Sequence, residues 1–161
     1  MAIQIYILSK LMAGKSYPYQ LKKQLSEPIP LDKIGNLTES KLYYHFESLS
    51  KAGLIEQVEV IKEEHRPDKQ VFAITEQGRV MLPKKIYNLF EKGEGVKDFV
   101  IGLFFLRFVD KARIIQILEG KLEDVKQKET QFKFLYERLD VNEADVPTIN
   151  ITNNYMLSRL D

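Results

Sequence analysis

Apolar and polar positions alternate along this chain with several distinct periods. Residues 3–12 (IQIYILSKLM) are a dense apolar run closing at Ala13-Gly14, where glycine suits a helix end; they predict a first helix buried on most sides. Pro18 fits the first turn of a second helix, in which Leu21 and Leu25 make an i, i+4 apolar stripe and leave Lys22 and Lys23 facing outward. The segment SEPIPLDKIGN, with two prolines, a glycine and an asparagine, predicts a loop. Thr38 is placed to cap a third helix with the stripe Leu42, Phe46 and Leu49, ending at Ala52-Gly53. Leu54–Ile61 then reads as a strand, EEHRPDKQ as a polar turn, and Val71–Ile74 as the antiparallel return. Thr75 is a cap for a fourth helix, which Pro83 should bend or restart. Three helices followed by a hairpin, in this order, make a winged helix.

After Gly93-Glu94-Gly95 comes VKDFVIGLFFLRFV, the most apolar stretch of the chain, which something must cover. Asp110 suits the cap of a helix from Lys111 to about Leu139, roughly 43 Å long at ~1.5 Å per residue. Ile115, Leu118, Leu122, Val125, Glu129, Phe132, Tyr136 and Leu139 recur three and four apart, the spacing of a helix packed lengthwise against another. A second copy of the chain is the natural partner, with Phe104, Phe105, Phe108 and the stripe as dimerisation residues. The residues beyond Pro147 predict one more helix. The fold class expected is therefore mostly α with a small β-hairpin wing: a winged helix-turn-helix domain over residues 1–92 and a helical dimerisation region over 93–161.

Composition adds mainly exclusions. The 161 residues contain no cysteine, which removes disulfides, thiolate metal sites and cysteine nucleophiles, and the two histidines are too few for zinc without it. The first residues lack a signal-peptide pattern and no apolar run approaches a membrane span, so a cytoplasmic protein is expected. Gly14-Lys15-Ser16 imitates the end of a phosphate-binding loop, but Ser9 stands where its first glycine belongs and the segment joins helices. No catalytic motif or cofactor site emerges. The formal net charge is only +1, yet residues 1–93 hold 14 Lys and Arg against 11 Asp and Glu, and residues 94–161 hold 10 against 12. A mildly basic head and a mildly acidic tail are compatible with DNA contact from one face of the head.

Three stretches resemble the PadR family of transcriptional regulators. YPYQLKKQL at Tyr17–Leu25 is similar to the family's His-Gly-Tyr-Glu-Leu-Lys-Lys pattern, through Tyr19, Leu21, Lys22 and Lys23. LTESKLYYHFESLSKAGLIE at Leu37–Glu56 resembles the recognition helix and its following Gly-Leu-Ile, through Leu42-Tyr43 and Gly53-Leu54-Ile55. FAITEQGR at Phe72–Arg79 resembles the Tyr-x-Leu-Thr-x-x-Gly that closes the wing. Tyr17-Pro18 replaces His-Gly, Tyr44 stands where the family often has proline, and Phe72 replaces the wing tyrosine. The resemblance implies a homodimer joined through C-terminal helices, repression at a palindromic double-stranded DNA operator and, in several members, release by small aromatic or hydrophobic compounds.

If the third helix enters a major groove, its outward groups are Glu39, Ser40, Lys41, Tyr43, Tyr44 and Ser48. Ser40 and Lys41 occupy the first turn, and Lys41 suits guanine O6 or N7. Tyr43 has two readings, base contact or packing against the second helix. The DNA-binding set read from sequence is Lys22, Lys23, Thr38, Ser40, Lys41, Tyr43, Tyr44, His65, Arg66 and Lys69, with Arg66 at the hairpin tip reaching a phosphate or minor groove. The competing reading is a winged helix that binds protein rather than DNA. Whether the basic residues share one face decides between them. Phe99, Phe104, Phe105 and Phe108 likewise admit two readings, a site for a flat hydrophobic effector or ordinary core between head and partner.

Overall fold

A computed structural model describes residues 2–24, 39–64, 66–93 and 95–137, together with 146, 147 and 151. Thr38, His65 and Leu139 lie outside the described residues, as does nearly all of the helix expected beyond Pro147. The elements are helices α1 (Ala2–Leu11), α2 (Pro18–Gln24) and α3 (Glu39–Lys51), strands β1 (Ile55–Glu63) and β2 (Arg66–Ile74), and helices α4 (Glu76–Lys92), α5 (Val96–Leu103) and α6 (Lys111–Glu137). A short 3-10 turn, Leu106–Phe108, precedes α6. The chain divides into two compact units, Met1–Ile114 and Ile115–Asp161, so that α5 belongs with the head, beyond the boundary expected at residue 92.

Within the first unit α1 is the central post. Ile5, Tyr6, Ile7, Leu8 and Ser9 are buried consecutively, as an apolar run without a polar face requires, and α1 meets α3, α4, α5 and β2. The Tyr6 hydroxyl donates to the Leu21 carbonyl at 3.1 Å, tying α1 to α2, and burial pushes the phenol pKa upward. The α3 stripe is as expected: Leu42, Phe46 and Leu49 are each at most 2% exposed. Helix α3 ends where Gly53 adopts φ +67°, while the Leu54 N–H reaches the Leu49 carbonyl at 2.9 Å and the Gly53 N–H reaches Ser50 at 2.9 Å. This pair of bonds satisfies carbonyls that the last turn leaves open, and it needs a residue that tolerates a left-handed backbone.

The hairpin departs from its sequence reading. Its strands run nearly to the tip, with Ile61 opposite Lys69 and Glu63 opposite Arg66, so most of EEHRPDKQ is strand and not turn. Toward the tip, where Val58, Val60 and Ile61 are exposed, the ribbon takes charged side chains without penalty and backbone pairing defines it. Two register shifts interrupt the ladder, between Gln57 and Glu59 and between Ile61 and Glu63. Opposite the second lies Pro67, which has no N–H to give to the ladder. Ser16 pairs with Phe72 through both backbone bonds, at 3.0 and 2.8 Å, and so adds a single residue to the other edge of β2.

Helix α4 also differs from expectation. It runs unbroken through Pro83, because Leu82 and Ile86, at 1% and 0% exposed, hold both sides of the proline in the core while one backbone bond is forgone. Its cap is as expected, with the Gly78 N–H donating to the Thr75 hydroxyl oxygen at 3.0 Å; that hydroxyl in turn donates to the Gly53 carbonyl at 2.7 Å. Phe90 and Phe99 stack at 6.2 Å, and Phe105 is buried, so two of the four phenylalanines of the apolar stretch are packed within the head. Asp110 caps α6 through Oδ1, accepting from the Ala112 N–H at 2.9 Å. The Asp110 N–H donates to the Tyr87 hydroxyl at 2.9 Å, and the Arg113 guanidinium lies 4.2 Å from the Tyr87 ring centre.

Along α6 no described residue from 115 to 135 is buried. Ile115 and Leu122 are each 55% exposed, whereas Leu118, Val125 and Phe132 are half-buried. No helix among the described residues is long and apolar enough to cross a membrane.

Candidate nucleic-acid interface

The inward anchoring of α3 fixes what its other side presents. With Leu42, Phe46 and Leu49 directed into the core, helical geometry turns Ser40, Lys41, Tyr43, Tyr44, Glu47 and Lys51 outward, and all six are exposed. Tyr43 is 47% and Tyr44 65% exposed. Beside this face lies an open groove of about 1360 Å³ between α2, α3 and the hairpin. Its floor is Phe46 and Phe72, whose rings meet at 5.2 Å, and its walls carry Tyr17 and Tyr19 from α2 and its approach, Tyr43 and Tyr44 from α3, and Lys69 and Gln70 from β2.

Two lysines, Lys51 and Lys69, line this aromatic surface together with two acids, Glu47 and Asp68. The Lys69 ammonium sits 5.3 Å from the Tyr17 ring centre and the Lys23 ammonium 5.0 Å from that of Tyr19, geometries in which each ring face attracts the charge. Lys51 bonds Glu47 at 2.6 Å one turn away on α3, which lowers the Glu47 pKa and raises that of Lys51. That pairing takes the Glu47 carboxylate out of direct opposition to a phosphate. Lys15 pairs similarly with Glu59 of β1 at 2.5 Å.

Of the residues singled out from sequence, the groove brings together Ser40, Tyr43, Tyr44 and Lys69. Lys23 stands at its edge through Tyr19. Lys22 and Lys41 are exposed on α2 and α3 but do not line it, and Arg66 is the first residue of β2. Tyr17, Tyr19, Lys51 and Gln70 were missed. An i, i+4 pairing of Tyr19 with Lys23 was the available signal for one of them, whereas Gln70 reaches the groove only through hairpin pairing.

His45, on the same helix, is half-buried, its Nδ1 has no hydrogen-bond partner, and its ring meets that of Tyr44 edge-on at 5.2 Å and 70°. Burial first, then the positive charges of the N-terminus, Lys41 and Lys85, hold its pKa below the usual 6.5. Lys85, itself lowered by burial, donates to Gln4 Oε1 at 2.8 Å. Among the described residues no group of three or more acidic or histidine side chains converges as a metal site.

Helices α1 to α3 with the β1–β2 hairpin and α4 define a winged-helix head of the kind carried by transcription regulators. Residues 7–84 match the Transcriptional regulator PadR-like family. The chain is similar to a transcriptional regulator of Clostridium thermocellum, at 29% identity over 53% of this chain and 78% of that one, with a TM-score of 0.44. It is also similar to smu.1604c of Streptococcus mutans, at 24% identity over 98% and 91%, TM-score 0.47, and to PadR of Bacillus subtilis in complex with operator DNA, at 17% identity over 99% and 92%, TM-score 0.48. No protein of curated function matches the chain.

Proposed function

We propose that this transcriptional regulator is a cytoplasmic, sequence-specific repressor that binds a palindromic operator as a homodimer, with α3 in the major groove and the hairpin against the backbone or minor groove. The observation that carries this reading is the single surface on which Ser40, Tyr43 and Tyr44 of α3 and Lys69 of β2 meet, with Lys41 and Lys51 exposed on α3 and Lys23 on α2. Hydroxyls and ammonium groups on a helix raised from the body of a domain suit base edges, and lysines around it suit phosphates. Dimerisation falls to the stripe of α6, of which Ile115 and Leu122, each 55% exposed, are the most exposed apolar members. Release by a small hydrophobic compound belongs to the proposal; with Phe105 taken by the core, Phe104, at 41% exposed, is the ring such a compound would meet.

Fluorescence anisotropy of the whole chain with duplex DNA at two salt concentrations tests the DNA reading. Lys41→Ala is expected to cost about 1–3 kcal/mol on the cognate site and to flatten discrimination, whereas Arg66→Ala should weaken all sequences alike. Salt-independent affinity, or indifference to both changes, would overturn it. Light scattering at micromolar concentration should give a dimer for the whole chain and a smaller species for Leu122→Glu; a monomeric wild-type chain refutes the assembly.

A further inference from the structure

We infer that the phenol rings of Tyr43 and Tyr44 read thymine methyl groups, so that the half-site is selected for T at the positions facing α3; this rests on the DNA-binding reading above. The starting point is what the recognition helix lacks. Its sequence, ESKLYYHFESLSK, contains no Arg, Asn or Gln, so the amide side chains that grip adenine with two parallel bonds are missing from it, and for guanine it offers only lysine. Leu42, Phe46 and Leu49 are buried and cannot reach a base. Glu47, the one acid on α3 with a described side chain, bonds Lys51.

What remains at the surface is dominated by two aromatic rings. Tyr43 and Tyr44 are adjacent, 47% and 65% exposed, and both border the groove. A major-groove floor offers an incoming carbon surface only one carbon group of its own, the 5-methyl of thymine. The edge-on contact with His45, at 5.2 Å, restricts the Tyr44 ring, and the ordering cost of binding falls accordingly. Ser40 and Lys41, in the first turn, add polar contacts, but neither selects thymine over the other bases as a methyl contact does. Tyr44 is one of the departures within the resemblance described above, standing where proline is common.

The experiment uses the whole chain and a duplex enriched from a random-sequence pool by repeated capture on it. Anisotropy is measured on that duplex, on the same duplex with dU for every dT inside the bound site, and on one with dU only outside it. Removing methyl groups alone is expected to weaken binding on the order of fourfold per contacted methyl, the worth of one buried aliphatic carbon. Replacement outside the site should change nothing. Tyr44→Phe should retain the sensitivity, and the double variant Tyr43→Ala/Tyr44→Ala should bind the dT and dU duplexes alike, with the same salt dependence as wild type. Equal affinity of the wild-type chain for dT and dU duplexes, with selective, salt-dependent binding intact, overturns the methyl-reading inference and leaves the DNA-binding reading standing. Failure to bind any duplex overturns both. The dT and dU comparison needs no variant and so does not depend on how the substituted chains fold.

Discussion

Replacing Phe46 by alanine probes the claim that α3 is held rigidly from inside so that its outer face can be presented. Phe46 is 2% exposed and its ring lies 5.2 Å from that of Phe72 on β2, at 54°, so it connects the recognition helix to the wing. Deleting a buried phenylalanine costs about 3–5 kcal/mol, of which the ring pair accounts for about 0.5–1.5. A unit of 114 residues is expected to be stable by roughly 6–17 kcal/mol, so the change consumes a large part of the total. With a urea m-value of about 2 kcal/mol/M, the midpoint should fall by about 2 M at unchanged m. Circular dichroism along a urea series measures it. Tyr44→Ala, on the opposite face at 65% exposed, should move the same midpoint by no more than about 0.5 kcal/mol. A loss under about 1 kcal/mol for Phe46→Ala, or an equal loss for Tyr44→Ala, would refute the division of α3 into a structural and a recognition face.

Other perturbations test the supports of the head. Thr75→Ala removes the cap of α4 and the bond to Gly53, and should cost about 1–2 kcal/mol in the same denaturation series. Gly78→Ala would place a Cβ 2.0 Å from the Leu54 carbonyl oxygen and 2.7 Å from Ile74 Cγ1; the backbone must move, and a loss of at least 1–3 kcal/mol is expected, read as a lower melting temperature. Tyr6→Phe leaves the Leu21 carbonyl without its donor and should cost about 1–3 kcal/mol by urea midpoint. His45 titrates below 6.5 in the folded head, so the folded state binds fewer protons there than the unfolded chain. Its contribution is full above pH 6.5 and is lost as pH falls through the depressed value. The difference in stability between wild type and His45→Gln should therefore change with pH below 6.5 and stay flat above it; a flat difference throughout would refute the assignment.

Much of this was written in the sequence. The periods that placed Leu42, Phe46 and Leu49 on one face of α3, the glycine that stops it and the threonine that starts α4 act over three or four residues, and local physics fixed them. So did the inference that Ser40, Lys41, Tyr43 and Tyr44 point outward, since burying one stripe of a helix exposes the other. Pro83 shows where local preference yields: the core contacts of Leu82 and Ile86 outweigh one missing backbone bond. The strands from Arg66 and to Glu63 were hidden because cross-strand pairing carries no hydrophobic period on a solvated ribbon. The groove is decided only by tertiary structure. Tyr17 and Gln70 are 53 residues apart in the chain and become neighbours because Ser16 pairs with Phe72 and the hairpin folds back beside α3, contacts that leave no local trace.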